Sequence, residues 1–216
     1  MSTVNVNTIK PITDDVHLSL QAGGSTRMLL TSAGSLSAQS LSATQFWGDG
    51  SKLCNLPGGG KVLQVVSTSS GSSFTTSSND GSMEATGVTV SITPSSASSK
   101  IFVTGVIGSI TTNNSNNIAG YGILRDGTQI GAGTSSGSRT VVHGGSVDHS
   151  GDNNEVSSKP FQFLDSPNST SALVYQIAVL ARSGQGNTYF NRTVNDSNNA
   201  YTLRPLSTIT VMEISA

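Results

Sequence analysis

The chain has 216 residues and a formal net charge of −1, with only 11% charged and 5% aromatic side chains, while Ser (38), Thr (24), Asn (16) and Gly (24) make up 102 of the residues. So little charge is not the mark of ordinary disorder, and the eleven Lys and Arg are scattered, which argues against a nucleic-acid partner. The apolar run at 178–181 is far shorter than a membrane span, and residues 1–6 show neither the basic start nor the apolar core of a signal peptide.

Short blocks of Val, Ile and Leu alternate with Gly/Asn/Ser/Thr clusters along the whole chain. This is the pattern of many short strands joined by tight turns, so the fold class expected is all-β, with no helix. In the first 56 residues, Val4 and Val6 alternate with Asn5 and Asn7, and Val16, Leu18 and Leu20 with His17 and Ser19. Arg27-Met28-Leu29-Leu30-Thr31 follows, then the turn Ala33-Gly34, then an alternating stretch that holds Leu36 and Leu41. A period of two gives each strand one apolar face. A lone chain with so few large side chains leaves those faces wet, and isolated hairpins are marginal in water. Wrapping several such chains together buries them, at roughly 1.5–3 kcal/mol per side chain. Val4, Val6, Val16, Leu18, Leu20, Leu36, Leu41, Phe46 and Trp47 are the expected core of such a multi-chain shaft.

Leu56-Pro57-Gly58-Gly59-Gly60 interrupts regular structure and divides the chain into a segment 1–56, a hinge 57–60 and a head 61–216. Gly58-Gly59-Gly60-Lys61 lacks the spacing of a phosphate loop. The single cysteine, Cys54, excludes an intrachain disulfide, so the protein is expected to be made in a reducing cytoplasm, with Cys54 reduced and packed near the hinge. In the head, strands are expected at 61–66, 85–92, 100–110, 118–125, 128–131, 140–147, 160–164, 172–180, 187–191 and 207–214. Asp126-Gly127 suits a type I′ hairpin turn, whose central residues both need positive φ. The last strand is read as alternating through Ile209, Val211, Met212 and Ile214. Eight to ten such strands fit a β-sandwich or jelly roll, and the alternation leaves their order open.

Phe46-Trp47-Gly48-Asp49-Gly50-Ser51-Lys52-Leu53-Cys54-Asn55-Leu56-Pro57 resembles a segment of tail-fibre and virion structural proteins of tailed bacteriophages. Residues 27–34 with the Leu-Ser-Ala repeats look like the shaft of such fibres. The head is similar to a domain of marine cyanophages, opened by Lys61-Val62-Leu63-Gln64-Val65-Val66, continued by Ser91-Ile92-Thr93-Pro94 and Ser99-Lys100-Ile101, and closed by residues 207–214. The resemblance implies a virion appendage assembled in the host cytoplasm, a homotrimer docked to other virion proteins through its N-terminal region, with the head pointing outward. It implies no fixed binding motif.

Little catalytic chemistry is legible. There is no Gly-x-Ser-x-Gly elbow, and only three Glu stand beside nine Asp, most of the latter in turn contexts, which offers no evident carboxylate pair for glycan cleavage. No enzyme, cofactor or membrane insertion is expected. His143 and His149 with Asp148 and Asp152 hint at metal but lack a tight four-ligand spacing, so no metal site is assigned. Receptor contact remains, since polar loops on a rigid scaffold suit multidentate hydrogen bonding to sugars. The candidates for contact with a host surface glycan are Asn113, Asn116 and Asn117, then His143, His149 and Asp152, then Arg192, Asn195, Asp196 and Tyr201. The rival expectations are a head fibre or a decoration and anchoring protein without a receptor, and, more remotely, a polysaccharide-degrading enzyme.

Overall fold

Residues 18–22, 25–30, 36–38, 61–77, 81–113, 118–147, 153–181 and 186–216 are described by the computed structural model. They form antiparallel strands throughout and no helix, so the protein is all-β. The chain divides into two units, Met1–Leu56 and Pro57–Ala216.

In the first unit β1 (Leu18–Ala22), β2 (Ser25–Leu30) and β3 (Leu36–Ala38) make a meander in the order β1-β2-β3. Its register sets Leu18 opposite Leu30, Leu20 opposite Met28, and Leu30 opposite Leu36. Of the expected shaft-core positions, Leu18, Leu20 and Leu36 are thus on paired strands, while Val4, Val6, Val16, Leu41, Phe46 and Trp47 lie outside the described residues, as do Cys54 and the hinge.

The second unit contains β4 (Val62–Ser70), β5 (Phe74–Thr76), β6 (Glu84–Ile92), β7 (Lys100–Ile107), β8 (Ile110–Thr112), β9 (Ile118–Arg125), β10 (Thr128–Ile130), β11 (Gly144–Val147), β12 (Lys159–Asp165), β13 (Leu173–Ala181), β14 (Thr188–Phe190) and β15 (Ser207–Ile214). Two main sheets, β12-β7-β15-β4 and β10-β9-β13-β6 with β11 also on β9, enclose one core, to which a small sheet β5-β14-β8 adds Ile110 and Phe190. Alternation supplies that core: Ile101, Val103, Ile107, Phe161, Ile209 and Val211 from the first sheet meet Val88, Val90, Ile123, Tyr175, Ile177 and Val179 from the second. The β9–β10 hairpin turns on Asp126 (φ 49°) and Gly127 (φ 79°), both in the left-handed region the tight turn demands.

Several strand expectations need correction. Residues 100–110 are not one strand: β7 ends at Ile107 because Gly108 lies flat against the chain at Leu206, where a Cβ would come within 2.5 Å of the Leu206 carbonyl oxygen. Residues 140–143 are not in β11, which starts at Gly144; they cross the back of β9 instead, with Val142 seated on Gly120. The strand β5 was not expected, being three residues of Phe-Thr-Thr paired only to β14. In β15 the buried row continues through Glu213, not Met212.

That glutamate is fully buried, and its burial is matched by donors: Ser95 N at 2.7 Å, Ser95 Oγ at 2.6 Å and Gln64 Nε2 at 2.7 Å. Desolvation pushes its carboxyl up, but these hydrogen bonds outweigh it and bring the pKa down to about 2. A second polar link joins the sheets. Arg125 of β9 holds both carboxylate oxygens of Asp165 on β12, at 2.8 and 2.7 Å, and the buried Tyr175 hydroxyl donates to the same carboxylate at 2.7 Å. Burial, then the bond to Asp165, raises the Tyr175 pKa, so the phenol stays protonated and remains a donor.

Candidate functional site: the 191–206 loop

The longest loop of the described head follows β14 and returns to β15 over residues 191–206. Its base is Asn191, fully buried and held at φ 55°. The Asn191 backbone N donates to Ser109 O at 3.0 Å, and its Nδ2 donates to the carbonyls of Ser70 at 2.8 Å and Ser72 at 3.2 Å. Ser207 Oγ donates to Asn191 Oδ1 at 2.6 Å and accepts from Gly108 N at 2.9 Å. One residue thus ties four segments together at the root of the loop. Buried amides rarely go unpaired, and this one satisfies its donors and acceptor.

Above the root, Arg192 lies with its guanidinium 4.9 Å from the Tyr189 ring centre and donates to the carbonyls of Thr193 (2.9 Å) and Val194 (2.8 Å). Asp196 bridges Arg192 at 3.4 Å and also pairs with Arg204 across the loop. Further out, short polar side chains fold the backbone locally: Asn195 Oδ1 accepts from Ser197 N at 3.1 Å, and Asn199 Oδ1 from Tyr201 N at 2.9 Å. Asn195 N also donates to Asn153 O at 2.9 Å, fastening the loop to its neighbour. The result is a braced platform whose tip presents Tyr201, 78% exposed. An aromatic ring standing free among amides and hydroxyls can stack on an apolar face of a ligand while its neighbours donate and accept.

Arg192, Asn195, Asp196 and Tyr201 are therefore brought together on one loop. Asn113 is not with them. Its Oδ1 accepts from Asn187 N at 2.9 Å, at the opposite end of β14 from Arg192. His143 stands elsewhere again: its Nδ1 is 2.9 Å from the Gly131 carbonyl, and its ring lies between Tyr121 and Phe161 at 6.1 and 6.3 Å. It forms one wall of an open cleft of about 530 Å³ with Thr104, Val106, Pro160 and Gln162. Asn116, Asn117, His149 and Asp152 lie outside the described residues. Among the described residues no group of three His, Cys, Asp or Glu side chains converges as metal ligands would. Sequence reasoning missed the root of the loop, since Asn191 is indistinguishable from its polar neighbours until its partners are known.

No family model matches the chain, and no curated protein matches it. Among solved structures, the chain is similar to one in the structure of infectious bursal disease virus Gx strain, at 16% identity and a TM-score of 0.33, over 70% of this chain. The match spans 39% of that viral chain.

Proposed function

We propose that the protein is a structural component of a tailed-phage virion, a homotrimeric fibre or spike that docks to other virion proteins through its N-terminal region and touches a host surface glycan with its head. The observation that carries the adhesive part is the 191–206 loop: a rigid, amide- and hydroxyl-rich platform with Tyr201 exposed at its tip. The virion part is supported by the fibre-like residues 46–57 and the cyanophage-like strands that open and close the head. Three weak sites on one particle appendage add up on a repetitive surface, because the second and third bind at high effective concentration.

Two experiments test this reading. Gold-labelled antibody against the chain, applied to virions from the genome that encodes it, is expected at the tail; label on the capsid instead supports the head-fibre or decoration reading. Added full-length protein is expected to compete with virions for adsorption, and Tyr201→Ala protein to compete at least tenfold less well. Equal competition by the two proteins removes the platform from the account.

A further inference from the structure

The back of the β12-β7-β15-β4 sheet carries an apolar row across all four strands: Val65 pairs with Met212, Met212 with Phe102, and Phe102 with Leu164. Val65 and Leu164 are 55% and 51% exposed, and Val106 on the same face is 43% exposed. The next row is Ser67, Thr210, Thr104 and Gln162, and the one after it Ser69, Thr208, Val106 and Pro160. None of these twelve side chains is charged. Lys100, one row beyond, donates to Ser166 Oγ at 2.7 Å.

The opposite back of the sandwich shows what the chain does with such a surface when it covers it. There Leu124, Ala178 and Leu180 are buried, since Val142 and Met83 close over Gly120 and Gly122. A single exposed Leu is ordinary, but a contiguous apolar row spanning a whole sheet marks an interaction surface.

We propose that this face turns toward a second copy of the chain, the β4 side of one copy meeting the β12 side of the next. Two properties favour a copy of itself over an unlike partner. The face is neutral, so identical surfaces meet without like charges opposing one another, and depletion of charge is the compositional mark of an interface core. Its extent fits as well. Four strands about 4.8 Å apart and roughly eight residues long at about 3.3 Å each cover about 500 Å², and three copies turned to one axis remove about 1,500 Å² from water in all. Repeated head to tail, the contact closes into a ring of copies. The proposal deepens the trimeric reading above by giving its subunits a surface in the head.

The test uses full-length protein with Cys54→Ser, Val65→Cys and Leu164→Cys, oxidised with glutathione disulfide and run on a denaturing gel without reductant. Within one chain the two cysteines are three strand spacings apart, about 14 Å, and cysteines whose Cα atoms are more than about 7 Å apart do not bridge. Any disulfide between them therefore joins two copies. The expected result is a band of two or more chains that reductant collapses. The control pair Ser91→Cys and Thr128→Cys, on opposite edges of the other sheet, is expected to remain a single chain. A single-chain band from the Val65/Leu164 variant, like that of the control, overturns the proposal. Light scattering on the same sample separates the two failures. A mass near three times 22.1 kDa with no cross-link removes this face and leaves the trimer, whereas a mass of 22.1 kDa removes both.

Discussion

The two backs of the sandwich solve one problem in opposite ways. Behind β9 and β13 the chain folds over its own apolar surface: Val142 and Met83 sit on Gly120 and Gly122, and Leu180 is only 4% exposed. Behind β7 and β15 the row Val65, Met212, Phe102 and Leu164 faces outward, with Leu164 51% exposed. Both surfaces are built from the same kinds of residue. The glycines make the difference, since at Gly120 a Cβ would come within 2.7 Å of Val142 Cγ1 and 2.9 Å of Leu180 Cγ. Removing side chains there lets a returning segment lie close, whereas the row Val65, Met212, Phe102 and Leu164 of the other sheet keeps large side chains at every strand. An apolar outer row is therefore not by itself a sign of burial; what matters is whether the sheet beneath it makes room for a cover.

The two backs stay distinct only while the sheets are locked in one register, so the largest expected effect comes from unlocking them. Asp165→Ala strands Arg125 and Tyr175 and is expected to lower unfolding stability in urea by about 3 kcal/mol, the low end for breaking a buried pair because Arg125 keeps 27% of its side chain exposed. A loss under about 1 kcal/mol would mean that the strut contributes nothing beyond packing.

The same change made on each back comes next. Leu180→Ala is expected to cost about 2–4 kcal/mol, as burial and a residual cavity dictate. Leu164→Ala is expected to cost under about 1 kcal/mol of the head's own stability, since half its surface is already wet. Equal losses at both sites would erase the distinction between the two backs.

A pH-dependent effect belongs to Glu213, inside the sheet whose back is bare. Its folded pKa of about 2 lies below the ordinary 4.5, so the stability it contributes is complete above about pH 4.5 and is lost as the pH falls through 2. Glu213→Gln is expected to flatten that part of the stability profile, as followed by thermal melting between pH 5 and 2; an unchanged slope would assign the acid sensitivity elsewhere. The smallest effect is at Tyr201. Tyr201→Ala is expected to leave the melting profile unchanged to within about 0.5 kcal/mol, so that a loss of adsorption competition reports contact and not unfolding.

What was legible beforehand follows the range of each interaction. The Asp126-Gly127 turn was readable because its chemistry is local, and the all-β class because period-two alternation repeats through β6, β7, β13 and β15. Glu213 was not, because a carboxylate at an inward position makes sense only beside Gln64 and Ser95, which are 149 and 118 residues away in the chain. The loop after β14 was legible as polar, but its root at Asn191 depends on Ser70, Ser109 and Ser207. The split of the candidate contact residues among separate places, with Asn113 and His143 away from Tyr201, is likewise a product of tertiary pairing that a list of polar loops does not contain. The bare face was hidden for the opposite reason. Val62-Leu63-Gln64-Val65-Val66 is apolar at both parities, so the sequence of β4 does not say which side meets water.

Hydroxyl-radical footprinting of the native full-length protein tests the account most directly, because it compares like residues in one sample. Val65 and Leu164 on the bare face are 55% and 51% exposed within one chain, and Leu203 on the 191–206 loop is 48% exposed. If a second copy covers the face, Val65 and Leu164 are labelled several-fold less than Leu203. Equal labelling of all three would contradict the account and leave that face of the sandwich in water.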